Sequence, residues 1–84
     1  MNKYVQIVFF LKSGKTLTEN VYLPEDNEET IIKLKEIKNK EENVKRCIAN
    51  NHMGCVEFNN LIVNIPSLEA IRFSYIGLEE YLEN

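Results

Sequence analysis

The sequence predicts an α+β domain: an antiparallel sheet of four to five strands with one main helix on one face, in the order β-β-α-β-β-β. Three observations predict it. The run from Tyr4 to Leu11 is dense in β-branched and aromatic residues, which favour strands. Ile31, Leu34 and Ile37, joined by Ile32, form one apolar stripe at helical spacing, with Lys33, Lys35, Glu36 and Lys38 outside it. Beyond residue 54, three short apolar runs are separated by turn-forming residues.

In the first strand Val5, Ile7, Phe9 and Leu11 fall on one face, and Tyr4, Gln6, Val8 and Phe10 on the other. Both faces carry large apolar groups, as in a strand covered on both sides. Ser13-Gly14 supplies a turn in which Gly14 is free to take positive φ. Residues 16–23 return as the second strand, with Leu17, Val21 and Leu23 on one face and Glu19 interrupting them. Pro24 ends that strand. Asp26 is placed to cap a helix, with Glu29 three residues on as a capping box requires, and Glu28 and Glu29 suit the positive end of the helix dipole. The helix is expected over about 27–39.

Residues 40–54 admit three readings. Val44, Cys47 and Ile48 keep helical spacing and Gly54 could terminate a helix, so the segment extends the first helix, forms a short second one, or is a long loop. Residues 55–58 and 61–65 read as strands joined by an Asn59-Asn60 hairpin turn. Pro66-Ser67 breaks the chain before a fifth strand over 69–75. Gly77 stops that strand, and the tail from Leu78 to Leu82 suits one helical turn. The last three strands are expected to form a meander.

The chain has 84 residues, 44% of them hydrophobic and 27% charged, which bounds it to a single folded domain over 1–84 rather than a disordered tail. Its formal charge is −3, too small to steer nucleic acid. The charge is uneven. Residues 1–50 hold nine basic and eight acidic residues, whereas residues 51–84 hold Arg72 against five acids. Two cysteines do not make a disulfide framework. No signal peptide is visible, and no apolar stretch approaches the roughly 20 residues of a membrane span. A cytoplasmic protein with no membrane contact is expected.

Candidate chemistry is sparse. Gly14-Lys15-Thr16 has the end of a phosphate-binding loop, but Phe9 stands where that motif needs its first glycine, and a strand follows where it needs a helix. Cys47, His52 and Cys55 fall within nine positions and are zinc-type ligands, one short of a closed tetrahedral site. The plainer reading makes Cys47 and Cys55 small buried residues and His52 an exposed loop residue. The same residues as nucleophile and base lack an orienting third group. No catalytic residue, metal or cofactor is therefore expected, and the chain is read as non-enzymatic. Lys33, Lys35, Lys38, Lys40, Lys45 and Arg46 form a basic stretch diluted by Glu36, Glu41 and Glu42, so a solvated helix face is favoured over a phosphate-binding one.

One helix stripe can cover only one sheet face. The opposite face, with Tyr4, Val8, Phe10, Tyr22 and Ile62, is the expected protein contact, unless the 40–54 segment or the tail folds over it. The partner expected first is a second copy of the chain, giving a homodimer. A larger host protein could engage the same face or the acidic residues Glu69, Glu79, Glu80 and Glu83.

The strand ending in Leu11-Lys12-Ser13-Gly14-Lys15, the Glu/Lys-rich helix, and the hairpin Val56–Ile65 followed by Leu68-Glu69-Ala70-Ile71 resemble a pattern among small phage and mobile-element proteins of low-GC Gram-positive bacteria. Such proteins include inhibitors of bacterial defence systems, among them anti-CRISPR proteins. The resemblance implies a phage-encoded inhibitor that occupies a surface of a host defence protein. Two other classes compete with it: a nucleic-acid-linked regulator using the Lys-rich helix, and a small zinc-binding module.

Overall fold

A computed structural model describes residues 3–58 and 61–82 and confirms the α+β class. Strands β1 (Tyr4–Leu11) and β2 (Thr16–Tyr22) form the first hairpin. Gly14 closes it at φ 92°, with its N–H donating to the Leu11 carbonyl at 2.9 Å. This is a backbone position that L side chains seldom adopt.

Helix α1 follows over Asn27–Ala49. Asp26 caps it as the sequence requires: its Oδ1 accepts from the Glu28 and Glu29 N–H groups at 2.8 and 3.1 Å. Thr30, fully buried in the first turn, ties the helix to the preceding loop by donating to the Pro24 carbonyl at 2.7 Å. The helix is ten residues longer than the apolar stripe alone suggested. Of the three readings of residues 40–54, extension of the first helix is the correct one. Leu34, Ile37, Val44 and Ile48 share one face, so the later apolar residues stay in phase with the earlier ones. Gly54 is not the terminator: α1 ends at Ala49 with Asn50 as its C-cap, and Asn51 takes φ 53°.

Glu41 occupies the intervening position of that stripe, where a leucine would be ordinary. Its carboxylate accepts a hydrogen bond from the Tyr75 hydroxyl and pairs with Lys45 at 2.7 Å. Partial burial, together with the Glu41 carboxylate, holds the Tyr75 phenol well above its ordinary range near 10.

Strands β3 (Cys55–Phe58) and β4 (Leu61–Asn64) form a second hairpin whose expected Asn59-Asn60 turn lies outside the described residues. A 3-10 turn (Ile65–Ser67) carries Pro66 and leads to β5 (Leu68–Ile76). Gly77 then ends β5 at φ 71°, and a short helix α2 (Glu79–Leu82) closes the chain.

The expected three-stranded meander does not form. The five strands divide into a three-stranded sheet in the order β2-β1-β5 and a separate β3-β4 pair, both antiparallel. β5 leaves its sequence neighbour and pairs with β1, which makes β1 the central strand. The reason lies in the side chains. Both faces of β1 are apolar, and pairing on both edges shields such a strand better than an edge position does.

The inner face of the sheet carries Val5, Ile7 and Phe9 of β1, all fully buried, flanked by Val21 of β2 and by Ile71, Phe73 and Tyr75 of β5. Helix α1 and the β3-β4 hairpin share the covering of this face. Phe58 of β3 stacks between Phe9 and Phe73, with centroid separations of 5.7 Å to each. Each such tilted contact adds about 0.5–1.5 kcal/mol to the area it buries. Leu78, fully buried, docks the C-terminal turn on the same core. No helix among the described residues is long and apolar enough to cross a membrane.

Two measurements check this account. Asp26→Ala removes the acceptor for two helix N–H groups and is expected to lower stability by about 1 kcal/mol in urea denaturation. Tyr75 generates an alkaline effect. Below pH ~10 folded and unfolded chains both keep the phenolic proton, so its contribution is intact. Above it the unfolded chain releases the proton that the folded chain retains, and stability falls with rising pH. Tyr75→Phe is expected to flatten the stability profile above pH ~10; an unchanged slope would remove Tyr75 as its cause.

Candidate interaction surface

The register of the three-stranded sheet fixes which side chains share its outer face. Cross-strand pairing sets them in four rows: Tyr22-Tyr4-Ile76, Asn20-Gln6-Ser74, Thr18-Val8-Arg72 and Thr16-Phe10-Ala70. None of these twelve residues is acidic, and Arg72 is their only charged side chain. Among the described residues, neither of the two coverings left open by the sequence is realised. Val44 and Ile48 pack into the inner core as part of α1. The C-terminal turn sits by the start of α1, where the Tyr81 hydroxyl donates to Asn27 Oδ1 at 2.6 Å.

The exposure of this face differs from the sequence expectation in one important respect. Val8 is only 8% exposed without any partner, because Thr18, Arg72 and the flanking β1 side chains already shield it. Phe10 is half-buried, with the Arg72 guanidinium 5.8 Å above its ring. The exposed apolar surface lies instead at the opposite end of the strands. Tyr22 is 62% exposed and Ile76 39%. Tyr4 lies between them, its ring 5.2 Å from that of Tyr22. The second row offers amides and a hydroxyl, and Asn20 Oδ1 is a buried acceptor with no hydrogen-bond partner.

Of the five residues assigned to this face from sequence, Tyr4, Val8, Phe10 and Tyr22 are brought together. Ile62 is not. It lies on β4 in the other sheet, paired with Glu57 and exposed to solvent. Ile76 and Arg72 were missed. Their alternation along β5 is visible in the sequence, but which face they join follows only from pairing with β1. Among the acidic candidates Glu69, Glu79 and Glu80 are exposed but none belongs to the four outer rows, and Glu83 lies outside the described residues.

The cysteine and histidine candidates are dispersed over different environments. Cys47 is half-buried on α1, Cys55 is exposed at the start of β3 rather than buried, and His52 is exposed in the connection between them. Among the described residues no three His, Cys, Asp or Glu side chains are grouped so as to hold a metal ion.

The basic residues of α1 are likewise distributed around the helix. Lys38 lies 5.5 Å from the Tyr75 ring centroid, and Lys45 pairs with Glu41. Lys40 donates to the Glu57 carbonyl at 2.9 Å and lies over Phe58. Comparison with protein-family models, with curated proteins and with solved structures finds no match for this chain.

Proposed function

We propose that this chain is a non-catalytic protein-interaction module whose contact surface is the outer face of its three-stranded sheet. One observation carries the reading: a twelve-residue face with a single charged side chain, in a chain of which 27% is charged. Depletion of charge with enrichment of tyrosine distinguishes the centres of protein interfaces from ordinary surface. Tyrosine contributes large contact area at low entropic cost, and Asn, Gln, Ser and Thr supply adaptable hydrogen bonds around it. The Tyr22-Tyr4-Ile76 row is the apolar anchor, and the amide row beside it supplies the polar contacts. An inhibitor of a host defence protein, the role that the sequence resemblance implies, would use the same surface.

A photo-crosslinking residue in place of Tyr22, compared with one in place of Ile32, tests the reading. Both positions are exposed and apolar, but Ile32 lies on α1. Protein adducts in cells are expected from position 22 and not from position 32. Adducts from position 32 alone would move the contact to the helix and defeat the assignment.

A further inference from the structure

The end of α1, the β1-β2 turn and the 3-10 turn meet at one end of the molecule. α1 packs on the 3-10 turn, and the Lys12 N–H donates to the Ser67 carbonyl at 2.9 Å. Between these elements lies a cleft of about 210 Å³. Its floor is Ile48, Ile65, Pro66 and Leu68. Leu68 is 2% exposed and Ile65 8%, so the floor is the edge of the hydrophobic core rather than loose surface.

Three polar residues line the same cleft: Lys12, Asn51 and His52. Among the described residues, none of their side chains has a hydrogen bond or ion pair. The backbone holds two of them in place. The Asn51 N–H donates to the Ile48 carbonyl at 3.2 Å, and the His52 N–H to the Cys47 carbonyl at 2.9 Å. Charge sets this cleft apart. Four other clefts on the surface each contain a glutamate: Glu36 lines two of them, and Glu80 and Glu69 the others. Among the described residues no acidic side chain lines this one, in a chain with 13 acids and a net charge of −3.

We propose that this cleft binds a small amphipathic carboxylate, with its acid group on Lys12, Asn51 and His52 and its aliphatic body on the floor. This goes beyond the outer-face reading and does not depend on it. An ionised carboxylate only accepts hydrogen bonds, and an ammonium, a side-chain amide and an imidazole N–H all donate them. A bond from the Lys12 ammonium is charge-assisted as well. A cationic ligand would meet an ammonium and no carboxylate. The volume is below the ~300–1,000 Å³ of sites for drug-sized ligands, which limits the occupant to a short chain. Met53, 83% exposed at the rim, is an unbranched thioether able to fold over such a chain. A helix C-terminus by itself disfavours an anion. Here the carbonyls of Arg46, Cys47 and Ile48 already accept from the Asn50, His52 and Asn51 N–H groups, which blunts that field, and the Lys12 ammonium opposes it.

Titration of hexanoate into the isotope-labelled full chain, followed by amide chemical shifts, tests the proposal. Saturable shifts are expected around residues 12, 48–53 and 65–68. A Kd of about 0.1–1 mM is expected for a ligand of about eight non-hydrogen atoms. Butanoate, two methylenes shorter, is expected to bind about tenfold more weakly. Hexanamide, which keeps the chain and loses the charge, is expected to bind at least about fivefold more weakly. Lys12→Ala and His52→Ala are each expected to weaken hexanoate about fivefold, with the fold checked by circular dichroism. Lys35→Ala, in the cleft that Tyr81 lines beside α2, is expected to leave binding unchanged.

The absence of saturable shifts up to about 10 mM hexanoate, a regime of negligible affinity, would overturn the site. Hexanamide binding as tightly as hexanoate would remove the anion. Shifts centred on Lys35, or binding indifferent to both Lys12→Ala and His52→Ala, would place the ligand elsewhere and defeat the assignment. None of these outcomes alters what a probe at position 22 captures, so the two readings fail separately.

Discussion

The central strand β1 carries large apolar side chains on both faces, and the chain has covering material for only one of them. Val5, Ile7 and Phe9 take the inner side and are fully buried there. Covering them takes the stripe of α1, Val56 and Phe58 of the second hairpin, Val63, and Leu78 of the tail. Each fully buried aliphatic or aromatic side chain contributes roughly 1.5–3 kcal/mol. A domain of this length has few such groups to distribute. The outer face is thus left to manage with its own side chains. Arg72 lies across Phe10, Tyr22 tilts against Tyr4, and Val8 is hidden by its neighbours.

The same shortage explains why the second hairpin stands as its own two-stranded sheet. A two-stranded hairpin is marginal alone and must dock an apolar face on something. Val56, Phe58 and Val63 face one way, and Glu57 and Ile62 the other. Docked beside α1, the hairpin inserts Phe58 between Phe9 and Phe73 and completes the cover that a single helix is too narrow to provide. Had β4 continued the main sheet, Phe73 and Phe9 would have faced water at that point. The Lys40 ammonium, lying over Phe58 and bonded to the Glu57 carbonyl, joins hairpin to helix across their seam.

Local rules were legible in the sequence wherever local chemistry decides the outcome. The Gly14 turn, the Asp26 cap, the break at Pro66 and the stop at Gly77 all fall where residue types demand them. What could not be read locally was decided by partners distant in the chain. The length of α1 was obscured at Glu41, a carboxylate in the apolar stripe, because its reason for being there is a tyrosine 34 residues away. The sheet order was obscured because β5 pairs with the strand farthest from it in sequence. Ile62 was misplaced for that reason, and Ile76 and Arg72 were missed for the same one.

The correction at Val8 changes what kind of surface this is. Had Val8 and Phe10 been the exposed groups, the face would be a greasy centre seeking cover, and burial alone would drive association. With Val8 sheltered and Phe10 half-covered by Arg72, the exposed apolar area shrinks to one end of the strands, at Tyr22, Tyr4 and Ile76. The rest of the face offers amides, hydroxyls and one guanidinium. Such a surface gains little from non-specific contact. On the proposed reading it would suit a partner that matches a pattern, with an apolar anchor at one end and hydrogen-bonding groups along the strands. Pattern matching of this kind yields specificity at modest affinity. A small domain with a thin core can maintain such a surface without making its own folding depend on covering it.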